Sequence, residues 1–388
     1  MSSIPSVGVH LYPTTLVNES RLFRMARTLV RGGVVSESWL VGVSGDGLAS
    51  DERPEAGIRT IRLPRPYNPP KGLWQRLVNT TVWTSRVASR LEGVRSLYVH
   101  AHSLPVLPLA ARLARRAGAR LVYEPHELET ETAGSKGLRR VAARLTERHF
   151  VTRADLIITV SETIAEWYRT TYGRPDIAVV RNIPSGMQSH AHPRGPRLRE
   201  RLGIADDAIV FLYQGGLWPN RLIDVYLTAF RDMPLQCHLV FMGAGELAPM
   251  IREASRKTPR IHYLPAVPPA EVLDFTCGAD VGLCGVDPVC LSYRYSLPNK
   301  IFEYLAAGVP FVAYPLPELV RLVDRYGCGD IVEGPDQLRA FMKGLNAHWL
   351  TAARDGVARA CRDLTADAEA AHLLALYDRL PDPSSRLN

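Results

Sequence analysis

The chain has 388 residues, 46% of them hydrophobic, with 47 Lys and Arg against 39 Asp and Glu. That length suits two domains, and the apolar share is enough for full-sized cores. No run approaches the ~20 apolar residues of a membrane span. The six cysteines contain no C-x-x-C pair and read as reduced thiols, which disfavours a zinc site.

The start, M-S-S-I-P-S-V-G-V-H-L, lacks a basic n-region, so no signal peptide is expected and the reading is cytoplasmic. Residues 7–12 read as a first strand. The segment N-E-S-R-L-F-R-M-A-R-T-L-V-R-G-G follows, with Leu22, Met25, Ala26 and Leu29 on one helical face and Gly32-Gly33 as the stop. Strands are expected at 39–43 and 58–63, the second running into the loop R-P-Y-N-P-P-K-G-L-W. Next come a strand at 97–102, a helix at 106–117, and a strand at 120–123 ending in E-P-H-E-L. A helix at 138–151, a strand at 156–160, a helix capped by Ser161 and a strand at 178–181 complete the first half.

Pro and Gly then interrupt the pattern, and residues 183–197 read as a linker between domains 1–182 and 198–364. The alternation restarts with a strand at 208–213 into Q-G-G-L-W-P-N-R and a helix at 222–230. A strand at 238–242 enters G-A-G-E-L-A, and further strands are expected at 261–264, 281–284 and 311–313. A helix over 365–380 ends the pattern. Strands alternating with helices at this spacing predict an α/β fold: two Rossmann-like, doubly wound parallel-sheet domains facing a central cleft. Ligands would bind at the C-terminal ends of the strands.

Charge is uneven: 26 Lys and Arg stand against 16 Asp and Glu up to Asn182, and 21 against 23 beyond. A basic first half points to an acidic partner, such as an anionic membrane or a phosphorylated substrate, or to an Arg-rich proteome. Lys136, Arg140, Arg144 and Arg148 recur every four residues along one helix, a stripe that suits a membrane surface or a solvated face. No nucleic-acid-binding motif accompanies the charge.

The densest stretch is Y-R-Y-S-L-P-N-K-I-F-E-Y-L-A-A-G-V-P-F-V-A-Y-P, from Tyr293 to Pro315. Ser296 is a candidate helix cap, Pro298 suits the first turn, and Gly308 with Pro310 ends the helix. Lys300 then stands in the first turn, where an anion is favoured, with Glu303 three residues on. The pair could hold the diphosphate and ribose of a nucleotide, or belong to an ordinary helix. Gly215 and Gly216 allow close backbone approach, and Arg221 could join Lys300 in a two-cation clamp. G-A-G-E-L-A, beginning at Gly243, matches a dinucleotide fingerprint but lacks the acidic residue at the end of the next strand. There is no P-loop and no D-x-D, so protein cations would have to neutralise a diphosphate. His126, flanked by Glu124 and Glu127, could bind a sugar hydroxyl, handle a proton, or be structural; His100 and His102 share a strand face, and one could reach the same place.

Taken in order, these segments resemble retaining glycosyltransferases of family 4, of the two-domain GT-B type. The resemblance is carried by N-E-S-R, H-A-H, Y-E-P-H-E-L, A-D-L-I-I-T-V-S-E, V-V-R-N-I-P, Y-Q-G-G-L, G-A-G-E-L, A-D-V-G-L and S-L-P-N-K-I-F-E-Y-L-A-A-G-V-P, across nearly the whole chain. It implies sugar transfer from a UDP-, GDP- or dTDP-sugar to a hydroxyl on a lipid-linked glycan or small aglycone, without cofactor or divalent metal. The first domain would bind the acceptor and the second the donor, with the terminal helix (about 365–388) packing back on the first.

The resemblance further implies that Glu303 holds the ribose, that Arg221 and Lys300 hold the diphosphate, and that His126 lies beside the transferred sugar. Gly215, Gly216, Gly243, Tyr295, Ser296, Leu297 and Asn299 would complete the donor site. His102 and the basic stripe would serve the acceptor or the inner face of a membrane. The sequence departs from the family at the first glutamate of E-x7-E, which is Tyr295, at the loop arginine, which is Gly216, and in lacking Gly-Gly in the first loop. A sugar-nucleotide epimerase and a catalytically silent homologue are the alternative readings.

Overall fold

The structure is a computed structural model that describes residues 6–184 and 195–380. Residues 185–194, most of the expected linker, lie outside the described residues. The chain divides into two units, 1–181 with 370–388, and 182–369.

The first unit is built on eight strands: β1 (Val7–Leu11), β2 (Glu37–Val43), β3 (Asp51–Glu55), β4 (Ile58–Leu63), β5 (Ser96–Ala101), β6 (Arg120–Tyr123), β7 (Leu156–Thr159) and β8 (Ile177–Val179). Their order is β3-β4-β2-β1-β5-β6-β7-β8, parallel except for β3 against β4. Sequence reasoning does not find β3, because D-E-R-P-E has no apolar alternation. It is a charged edge strand containing a proline, both devices that protect a sheet edge. Cross-strand ion pairs Arg59–Asp51 at 2.7 Å and Arg62–Glu52 at 2.5 Å hold it in place.

The helix Ser20–Arg31 buries Leu22, Met25, Ala26 and Leu29, the face its spacing predicts. The helix Ala366–Asp378 returns to this unit from Ala370 onward. Its Leu373 and Tyr377 join Met25, Leu29, Tyr98 and Val122 in one core. A Cβ on Gly32 would lie 2.3 Å from the Leu374 side chain, so the glycine that stops the first helix also makes room for the last.

The second unit has six parallel strands: β9 (Ile209–Gly216), β10 (Cys237–Ala244), β11 (Ile261–Leu264), β12 (Val281–Cys284), β13 (Phe311–Ala313) and β14 (Gly329–Ile331), in the order β11-β10-β9-β12-β13-β14. Alternation along β9 divides its side chains between two cores: Val210 and Leu212 enter one, Phe211 and Tyr213 the other. The three residues of β14 carry too little pattern to be read from sequence.

Candidate active site

In the second unit, β9 ends at Gln214-Gly215-Gly216, paired in register with Met242, Gly243 and Ala244 of β10. Gly215 has φ +106, and a Cβ on Gly243 would meet the Gly215 carbonyl oxygen at 1.9 Å. Glycine at both positions lets the two strand ends lie bare and close together. The helix expected after Pro298 runs Lys300–Ala306, three residues later than a Ser296 cap would start it. Ser296 instead donates its hydroxyl hydrogen to the Tyr293 carbonyl at 2.8 Å. The end is as expected: Gly308 takes φ +73, its N–H bonds Leu305 O, and the Val309 N–H bonds Tyr304 O, a Schellman motif.

This framing brings Lys300 to β9. Its Nζ lies 3.5 Å from the Tyr213 ring centroid, a cation–π contact. Burial and the nearby Arg221 charge lower its pKa to about 8, with Cys284 and Glu303 opposing. Arg221 follows Gly216 in a loop where both neighbours, Asn220 (φ +64) and Leu222 (φ +58), are left-handed; its guanidinium lies over Tyr293, 5.4 Å from the ring centroid. Such strain is concentrated at functional sites.

One turn along from Lys300, Glu303 accepts a hydrogen bond from Gln214 Nε2 at 2.5 Å, while Thr276 donates to Gln214 Oε1 at 2.7 Å. Gln214, Thr276 and Tyr213 are site residues that sequence reasoning missed, although the Q of Y-Q-G-G-L stood next to the glycines. Tyr295 is half-buried at the end of the helix Leu291–Arg294, and Asn299 is exposed. Leu297 corrects an expectation: its side chain is in the core, which leaves only its backbone for a ligand.

In the first unit, the ends of β1, β5 and β6 converge on Glu124, which is completely buried. Arg21 donates to its Oε1 at 2.5 Å. His100 Nε2 and His102 Nδ1 each lie 3.0 Å from its Oε2. Burial alone would raise the Glu124 carboxyl; the Arg21 charge and the imidazole donors outweigh it and hold the pKa well below the usual range. His126 Nε2 lies 3.7 Å from Glu124 Oε1 and has no hydrogen-bond partner among the described residues. Burial, with Arg21 and His102, lowers its pKa to about 3 against the pull of Glu124, so the imidazole is neutral at physiological pH. A neutral ring can bond a hydroxyl but is a weak base, which narrows the roles open to His126.

His102 also corrects an expectation. It is fully buried, bonding His10 Nδ1 through its Nε2 at 2.9 Å, and so supports the site from behind without facing a ligand. His102, Glu124 and His126 bring ligand atoms within 4.8 Å of one another, as do His10, His100 and His102. The Arg21 cation already balances the single carboxylate, which disfavours adding a divalent ion there.

The basic stripe is rearranged. The helix Gly137–Val151 turns Glu147 inward, where Tyr123, Tyr168 and Tyr172 donate to it at 2.5–2.7 Å. Leu138, Val141 and Leu145 therefore face outward, Leu138 being 87% exposed. Arg140 and Arg144 pair with buried Glu131, while Lys136 and Arg148 remain exposed.

Two α/β units built on largely parallel sheets, the second with glycine-rich strand ends, define a class of double Rossmann-like folds. The sucrose-phosphate synthase of Thermosynechococcus elongatus superposes with a TM-score of 0.78 at 13% identity, over 97% of this chain and 99% of that one. HepE of Anabaena, solved in complex with UDP-glucose, gives 0.73 at 14% identity, over 96% and 100%. The fold is GT-B.

Residues 19–183 match the "Glycosyl transferase 4-like domain" and residues 208–348 match "Glycosyl transferases group 1". The lipopolysaccharide 1,2-N-acetylglucosaminetransferase of Salmonella typhimurium is 31% identical over 110 residues, which is 28% of this chain and 27% of that protein. The match thus spans about a quarter of the curated relative's length. In this order the chain carries a glycosyl transferase 4-like domain followed by a glycosyl transferases group 1 domain on a GT-B fold.

Proposed function

We propose that this enzyme transfers a sugar from a nucleoside diphosphate sugar to an acceptor hydroxyl, with retention and without a divalent metal. The second unit takes the donor and the first the acceptor. The observation that carries the reading is the arrangement at the end of β9: the Lys300 ammonium on Tyr213 beside Gly215, and Glu303 one turn on, steadied by Gln214. Two cations suit a diphosphate whose charge grows as the glycosidic bond breaks. A carboxylate suits the ribose hydroxyls. His126 offers its neutral ring to a sugar hydroxyl.

The UDP-glucose bound by HepE supports a UDP-sugar ahead of a GDP- or dTDP-sugar. The Salmonella relative, a lipopolysaccharide N-acetylglucosaminetransferase, supports a glycan acceptor ahead of a small aglycone. Retention rests on the family resemblance, and metal independence on the lack of D-x-D. A thermal-shift screen of UDP-, GDP- and dTDP-sugars tests the donor. A ligand at 100 times its Kd adds about 2.7 kcal/mol of stability, and no shift with any of them refutes the donor site. Tyr295 in place of the first glutamate favours the silent-homologue reading, which any donor turnover rejects.

The outward row Leu138, Val141 and Leu145, flanked by Lys136 and Arg148, supports a contact with an anionic membrane surface. Such a contact would put the enzyme at the cytoplasmic face, beside lipid-linked acceptors. None of the described helices is long and apolar enough to cross a membrane.

A further inference from the structure

We propose that Tyr377, near the far end of the chain, is a positioning residue for the His126 site and acts through His100 and Glu124. The inference rests on the reading of His126 as a sugar contact, and it adds a role for the returning C-terminal helix.

Glu124 is ionised beside Arg21, and an ionised carboxylate only accepts. The imidazole nitrogens facing its Oε2, His100 Nε2 and His102 Nδ1, must therefore both carry hydrogen. Both rings are completely buried and lean to the neutral form, which has one N–H each. The opposite nitrogens are then lone pairs in need of donors. His102 Nε2 takes its hydrogen bond from His10 Nδ1 at 2.9 Å, and His10 Nε2 takes one from Tyr98 at 3.1 Å. His100 Nδ1 is met by the Tyr377 hydroxyl at 3.0 Å. All three tautomers are thereby determined.

Neither N–H points straight at Glu124: both contacts have hydrogen-bond length but poor alignment. The rings are consequently held from behind, His102 by His10 and His100 by Tyr377. Without the Tyr377 hydroxyl, the His100 Nδ1 lone pair is buried and unmet. The ring would then turn or change tautomer, and Glu124 Oε2 would lose one of the two N–H groups that face it at 3.0 Å. The other oxygen of that carboxylate is the one 3.7 Å from His126 Nε2, so the disturbance reaches the sugar contact. The donor arises on the last helix, which returns to this unit and carries Tyr377 into the core with Met25 and Leu29.

The test compares Tyr377→Phe, Leu373→Ala and His126→Ala in the full chain labelled with 15N-histidine. Tyr377→Phe keeps the edge-on ring contact with Tyr98, at 5.0 Å between centroids, and removes only the hydroxyl. It is expected to change the His100 nitrogen signals and to lower kcat about tenfold, with UDP affinity within twofold of wild type. Leu373→Ala, which loosens the same helix without touching the relay, is expected to lower Tm and leave kcat within twofold. Wild-type kcat and unchanged His100 signals in Tyr377→Phe, with His126→Ala inactive, overturn the relay and leave the proposed function standing. Wild-type kcat in His126→Ala refutes the site reading itself. Should Tyr377→Phe fail to fold, the wild-type spectrum still decides: a hydrogen on His100 Nδ1 refutes the relay, and a hydrogen on Nε2 supports it.

Discussion

Replacing Lys300 with methionine should stabilise the second unit at neutral pH while disabling its donor site. The Lys300 pKa falls from its ordinary 10.5 to about 8, through burial first and the Arg221 charge second. At 1.36 kcal/mol per unit, that corresponds to about 3 kcal/mol of destabilisation by the charged form. Partial solvent access reduces the figure, and the contact with Tyr213 returns about 1–2 kcal/mol. The expected net gain for Lys300→Met is therefore about 1 kcal/mol.

The pH dependence has a definite sign. This group is a base whose folded pKa lies below its unfolded value. Its penalty is complete below about pH 8 and fades as pH rises toward 10.5, so the wild type should draw level with the variant there. Urea unfolding at pH 7 and pH 10 measures the difference, and titration with UDP at pH 7 measures the functional loss. A variant less stable than wild type at pH 7, or a gain that persists undiminished at pH 10, would refute the reasoning. The opposed effects would be those expected where function retains an unfavourable charge.

Lys300→Ala and Arg221→Ala should each lower kcat about 100- to 1000-fold, and the double variant should lose less than the product, since both cations act on one diphosphate. Steady-state rates of the three variants check this, and strictly multiplicative losses would contradict it. His126→Ala should lower kcat far more than it weakens UDP binding; in wild type no titration of His126 should appear in kcat between pH 5 and 8, because its pKa is near 3. A limb near pH 6.5 that vanishes in the variant would refute the neutral-ring role. Turnover should be unchanged by EDTA; loss restored by Mg2+ or Mn2+ would overturn metal independence. Changing Leu138, Val141 and Leu145 together to Asp should abolish co-sedimentation with vesicles containing anionic lipid, and retention at wild-type levels would exclude this helix as the contact.

Much of this protein is legible locally. Runs such as I-V-F-L-Y and C-H-L-V-F-M read locally as buried strands, because they are short, rich in branched and aromatic side chains, and closely followed by glycine. The Gly308 helix end and the Ser161 cap are short-range chemistry, in which a left-handed glycine and a hydroxyl acceptor act within a few residues. Lys300 and Glu303 were found for the same reason: one helical turn separates them. What sequence could not supply was the partner from a distant segment. Gln214 reaches Glu303 across 89 positions, and Tyr377 reaches His100 across 277. No periodicity encodes such a pair, because folding alone brings its members together.

The helix Gly137–Val151 makes the same distinction in reverse. Its sequence determined that it is a helix with an apolar row and a basic row. Only the tertiary structure decided which row faces out, because three tyrosine hydroxyls from other elements hold Glu147 inside. A buried carboxylate must be satisfied where its donors are, whereas an exposed leucine costs comparatively little, so the polar contact set the orientation.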